Sequence, residues 1–158
     1  MLNLPDLILY NGSWDKYEET LYSVFKKDFI DNQPNLKKYK IFIIIEPKFK
    51  EKEWSFWHIT SEGDVESKRT QDFRKCEKIG WIKPIIESYP HQDIKAWRTK
   101  EKGRIKICLC YGNWEYLIVL KRIKKGFLLI TAYPVEYSNT KRKLKKQYMD
   151  FKNTKTAS

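Results

Sequence analysis

Few side chains in this sequence are able to do acid–base or phosphate chemistry. There are two histidines, His58 and His91, and six arginines, two of which share one short segment, Arg69-Thr-Gln-Asp-Phe-Arg74. No His-x-x-x-His, no Cys-x-x-Cys and no carboxylates at ligand spacing occur, so no metal site is expected. Cys108-x-Cys110 sets two thiols on one face of a strand, and with no second ligand pair nearby ordinary packing explains them better than zinc. A Walker loop, a Gly-x-Gly-x-x-Gly turn and a Gly-x-Ser-x-Gly elbow are missing too, which removes the usual signatures of nucleotide hydrolysis and serine esterase chemistry. No cofactor is expected. Metal-independent RNA cleavage asks for less, because the ribose 2′-OH attacks its own phosphodiester. The protein has only to hold that linkage in line, move protons and offset the charge on the phosphorane. One histidine, a few cations and a hydroxyl or two suffice, and this sequence offers that set.

His58 is the first candidate for proton transfer, since an imidazole titrates near neutrality. It closes the aromatic run Trp54-Ser-Phe-Trp-His58, where a histidine packed among tryptophans is the competing reading. His91, in Tyr-Pro-His-Gln-Asp, reads as a loop residue. Arg69 and Arg74 suit phosphate because the guanidinium fork grips two oxygens at once. Five residues apart on a helix they point about 140° away from each other, so a solvated helix surface explains them as well. The last candidates lie in Phe127-Leu-Leu-Ile-Thr131-Ala-Tyr133-Pro134. Alternation puts Phe127, Leu129, Thr131 and Tyr133 on one face and Leu128, Ile130 and Ala132 on the other, which is expected to be the helix-packed core. Thr131 and Tyr133 can hydrogen-bond a phosphate or orient a proton donor, although both types also favour strands in their own right.

The elements that must hold these residues follow from periodicity. Trp14, Tyr17, Leu21, Val24, Phe25 and Phe29 mark a helix over 14–30, with Ser13 placed to cap it. Strands are expected at Tyr39–Glu46, which Pro47 ends, and at Trp54–Thr60; Glu66–Lys78 reads as helical, and another short helix runs from about Trp81 to before Pro90. The second half changes period. Ile94–Thr99, Arg104–Tyr111, Trp114–Ile123 and Phe127–Tyr133 are strand candidates joined by short turns, which forces neighbours antiparallel. Ser138 or Asn139 can cap a basic closing helix, Thr140–Asp150. The expected fold class is α+β: N-terminal helices packed on a four-stranded antiparallel β-meander, with a basic C-terminal helix.

The 158 residues suit one domain, and 41% hydrophobic content with 15% aromatics argues against disorder. The longest apolar run, Ile41–Ile45, is far below the roughly 20 residues of a spanning helix, so no membrane association is expected. An odd cysteine count and the lack of a basic n-region before Asp6 suggest a reducing, cytoplasmic setting. Charge is unevenly placed. Residues 1–94 carry 15 basic and 16 acidic side chains, whereas 95–158 carry 17 and 4. The whole excess of +12 therefore comes from the sheet-forming half, a local field that captures polyanions. RNA is the expected partner; an acidic protein would feel the same field.

The ordered set Phe56-Trp-His58-Ile, Arg69 to Arg74, Trp81-Ile-Lys-Pro-Ile-Ile86 and a meander ending Leu-Ile-Thr131-Ala-Tyr133-Pro resembles phage-associated RNase domains. These belong to the barnase–EndoU–colicin–RelE-like superfamily of metal-independent ribonuclease toxins. The likeness covers residues 54–135, leaving 1–50 as an N-terminal extension and 138–158 as a basic helix and tail. It implies helices before a four-stranded antiparallel sheet, in agreement with the layout read from periodicity. It also implies acid–base work for His58, phosphate contact for Arg69 or Arg74, and transition-state contacts for Thr131 and Tyr133. Lys106 and Arg122, on central strands, would add positive charge, and toxins of this kind imply an acidic inhibitor or antitoxin. An RNA- or DNA-binding module without catalysis, and an accessory protein docking an acidic partner, are the alternatives.

Overall fold

Apolar side chains at three- and four-residue spacing make Trp14–Phe25 a helix, α1, whose buried stripe is Tyr17, Leu21 and Phe25. Ser13 stands at its N-cap, but no side-chain cap bond forms there. The computed structural model describes residues 2–62 and 70–157. In it the chain runs from α1 into a π-helical turn, Lys26–Asp31, that buries Phe29. A two-strand hairpin follows, β1 (Asn35–Leu36) and β2 (Tyr39–Phe42), then helix α2 (Trp54–Thr60) and a small ribbon of β3 (Ser61–Glu62) with β4 (Thr70–Gln71). Two more short helices come next, α3 (Phe73–Glu77) and α4 (Ile82–Ser88). The second half is β5 (Ile94–Glu101), β6 (Arg104–Tyr111), β7 (Tyr116–Ile123), β8 (Gly126–Pro134) and the long helix α5 (Ser138–Ala157).

The class is α+β, and β5 to β8 pair consecutively and antiparallel. The expected four-stranded sheet is nevertheless incomplete. It has six strands in the order β1-β2-β8-β7-β6-β5, because β2 joins the free edge of β8 in parallel. Gly126 permits that junction. Its φ is +154°, and a Cβ there would land on the carbonyl oxygen of Lys40.

Both faces of the sheet are covered. On the inner face, Leu109, Ile118, Leu120, Phe127, Leu129 and Ala132 join Phe25, Phe56, Ile82 and Ile86 of the helices in the main core. On the outer face, Trp97, Cys108, Cys110, Leu117 and Val119 pack with Leu144 of α5 in a second core. The three cysteines are buried and unpaired to one another.

Several expectations about positions are corrected. Trp54–Thr60 is a helix, not a strand. Its seven residues bury Ser55, Phe56, Trp57, Ile59 and Thr60, so apolar character nearly encircles it and a two-residue alternation is indistinguishable from helical spacing at that length. Backbone carbonyls of the segment after β2 hold its start: Trp54 N–H donates to Ile45 and Ser55 N–H to Ile44, each at 3.0 Å. The second correction concerns β8. Leu120 pairs with Leu129 but Val119 pairs with Thr131, so Ile130 is an extra residue, a β-bulge. Strict alternation therefore fails: Phe127, Leu129 and Ala132 face the main core, while Ile130 and Tyr133 turn toward α5. Of the helix expected over Glu66–Lys78, residues 66–69 lie outside the described residues, Thr70–Gln71 is the strand β4, and only the end is helical, as the shorter α3.

Among the described residues no helix is long and apolar enough to cross a membrane.

Candidate nucleic-acid interface

Helix α5 is fixed across the outer face by aromatic rings. Trp97, Trp114 and Tyr148 form a triangle with centroids 5.7 to 5.8 Å apart, and Trp97 Nε1 donates to Gln147 Oε1 at 3.2 Å. Between the helix and the end of β8 a groove of about 330 Å³ is left. Lys106, Thr131 and Tyr133 line it, as do Thr99 and, from the helix, Thr140, Lys143 and Gln147. No carboxylate is among its lining residues. Register explains the convergence: Thr99 lies opposite Lys106 on β5 and β6, and Thr131 opposite Val119 on β8 and β7. Burial pushes the Tyr133 phenol above its ordinary value, and the neighbouring Cys108 and Cys110 add to the shift.

An adjoining cleft of about 270 Å³ shares Tyr133 and Thr140 but differs in charge. Glu62, Asp72 and Glu136 stand there with Lys75. The Asp72 carboxylate caps α3, accepting from the backbone N–H of Arg74 at 3.1 Å and of Lys75 at 3.3 Å. Lys75 Nζ donates to the Ser61 carbonyl at 3.0 Å. An anion is therefore better received in the groove than in the cleft.

The candidates from sequence fall in several places. Lys106, Thr131 and Tyr133 meet in the groove. His58 sits on α2, half-buried, with its ring stacked on Trp54 one turn earlier at 4.5 Å and 14°. It is not a lining residue of the groove, although α2 and α3 both pack on β8. Arg74 is paired with Glu136 at 2.5 Å, and that carboxylate raises the pKa of its guanidinium. Arg122 is at the other end of the sheet, opposite Phe127, with its guanidinium 4.2 Å from the Tyr39 ring centre and hydrogen-bonded to that phenol, whose pKa it lowers. Arg69 lies outside the described residues.

Thr99, Thr140, Lys143 and Gln147 were not anticipated. Strand parity on either side of Lys106 would have indicated Thr99, and the three- and four-residue spacing of Thr140, Leu144, Gln147 and Phe151 marks the sheet-facing side of α5. The chain matches no protein-family model, no curated protein and no solved structure.

Proposed function

We propose that this chain is a metal-independent endoribonuclease, toxin-like, which binds RNA in the groove between α5 and the outer face of the sheet. The observation that carries the reading is the meeting of Lys106, Thr131 and Tyr133, with Lys143, in a groove lined by no carboxylate. Ribose 2′-OH attack on the adjacent phosphorus forms the 2′,3′-cyclic phosphate and expels the 5′-oxygen, so a proton leaves one oxygen and another reaches the second. Lys106 is suited to offset the phosphorane charge, Thr131 to orient a non-bridging oxygen, and Tyr133 to donate a hydrogen bond to the departing oxygen. The resemblance assigns the proton transfer to His58; that residue stands on α2 and outside the groove, so its part requires that RNA held in the groove also reach α2.

Purified protein should cleave RNA in the presence of EDTA and leave 2′,3′-cyclic phosphate or 3′-phosphate ends. The His58→Ala variant should lose cleavage and keep most of its RNA affinity, since the positive field is unchanged. Equal cleavage by that variant would remove His58 from the chemistry.

RNA binding without cleavage is the second reading. The engagement of Arg74 by Glu136 and the position of Arg122 at the far end of the sheet favour it, because one guanidinium is then neutralised by a carboxylate and the other stands away from Tyr133. Intact RNA recovered from a tight, salt-sensitive complex would select this reading over the first.

A further inference from the structure

Three turns that are far apart in sequence come to one end of the sheet. The β1–β2 turn brings Lys37 and Lys38, with Lys40 just inside β2. Because β2 runs parallel to β8, that turn lies at the same end as the β7–β8 turn, which brings Lys124 and Lys125 beside Lys121 and Arg122. Antiparallel β6 adds its start and the end of β5: Lys100, Lys102, Arg104 and Lys106. Eleven of the chain's 32 basic residues lie in these segments, and Glu101 is their single acid. Four strand spacings separate β2 from β5, so the rim is about 19 Å long.

Several of its cations lie against rings. Arg122 lies over Tyr39 and Phe127 at 4.2 and 5.3 Å, Lys125 over Phe42 at 4.2 Å, and Lys37 over Tyr89 at 5.6 Å. Lys37, Lys38, Lys124 and Lys125 are exposed and belong to no ion pair among the described residues. Lys106 and Lys121 are direct cross-strand partners, which brings two positive charges side by side.

We infer that this sheet end is a second RNA-docking surface, which grips the sugar–phosphate backbone without reading its sequence. It joins the groove at Lys106 and extends away from Tyr133 along β8, seven residues from Gly126 and about 23 Å distant. The inference rests on the RNA reading above and adds to it where the rest of a long strand is held. RNA is favoured over an acidic protein because the cations stand along one sheet end with the partly exposed rings of Tyr39, Phe42 and Tyr89 beside them, the pattern that a single strand with regular charge and stackable bases fits.

The test is the affinity for a labelled 30-nucleotide single-stranded RNA, followed by fluorescence anisotropy from low to moderate salt. The rim variant carries Lys37→Gln, Lys38→Gln, Lys124→Gln and Lys125→Gln, and a matched variant carries Lys16→Gln, Lys27→Gln, Lys48→Gln and Lys50→Gln, so net charge falls equally in both. The rim variant should bind at least about tenfold more weakly near 100 mM salt, with a salt slope shallower by about 3, from roughly 0.7 per lost single-strand contact. The matched variant should stay near wild type. Equal effects in the two variants, or none in the rim variant, overturn the rim. Wild-type protein that binds poly-glutamate but not RNA overturns it together with the RNA reading. A nuclease reading that fails alone is recognised separately: the rim effect is present, and the bound RNA stays intact.

Discussion

The Tyr133 phenol is held protonated by its surroundings, since burial and two neighbouring thiols all raise its pKa. It is therefore a hydrogen-bond donor throughout the neutral range, and it lines the groove together with Thr131 and the start of α5. Tyr133→Phe should lower single-turnover RNA cleavage by about 10²-fold, the usual scale for one positioned proton donor, while shifting RNA affinity little. The three thiols answer differently to pH. Burial pushes Cys76 and Cys110 up to about 12 and Cys108 up to about 11. In the unfolded chain they ionise from about 9, whereas the native thiols stay neutral, so the unfolded state binds fewer protons in that range. Stability should thus be flat in this respect below pH 9 and fall between 9 and 12, by up to about 1.4 kcal/mol per pH unit for each thiol. Urea titrations at pH 8 and pH 10.5, and slow alkylation of all three thiols in native protein at pH 8, check both halves of this expectation.

Among elements, β8 shows where reading a sequence succeeds and where it stops. Its bounds, its antiparallel partner and its two hydroxyl residues are all legible from alternation and turn residues. The bulge at Ile130 is not, because the extra residue is apolar and fits either face. That one residue exchanges the faces of its neighbours, and it brings Thr131 and Tyr133 to the α5 side for a reason alternation does not contain. Helix α2 escapes the alternation reading for a related reason: seven residues are too few to separate the two periods when almost all of them are buried. The parallel pairing of β2 with β8 was also hidden, since nothing local in residues 39–42 announces a partner 86 positions later. Helix α5 was legible in charge, but it already includes Ser138 and Asn139, so neither caps it from outside, and it continues to Ala157. Its attachment depends on Leu144, buried among Trp97 and Val119. Leu144→Ala should cost about 2–5 kcal/mol in urea unfolding and weaken RNA binding, as one wall of the groove loosens. Gly126→Ala should cost about 1–3 kcal/mol, because the added methyl collides with the Lys40 carbonyl and forces apart the β2–β8 pair.

For the molecule as a whole, the division of charge by chain half becomes a division by place. The nearly neutral first 94 residues supply the inner helices and one pair of edge strands, and the excess sits on the meander and α5. RNA association should accordingly slow steeply with added salt, and stopped-flow rates between 50 and 300 mM salt are the direct measure.

The parallel seam between β2 and β8 also bears on how the molecule is made. A strand formed from residues 39–42 has to wait for residues 126–128 before it gains a neighbour on its second side, and the high sequence separation of that contact slows the search. During synthesis the first third of the chain leaves the ribosome long before its pairing edge exists. The groove is completed only after Lys143 and Gln147 have been added. The excess cations of residues 95–158 would emerge only in the last part of translation, and on the RNA reading proposed above they would pass ribosomal RNA before the groove is enclosed.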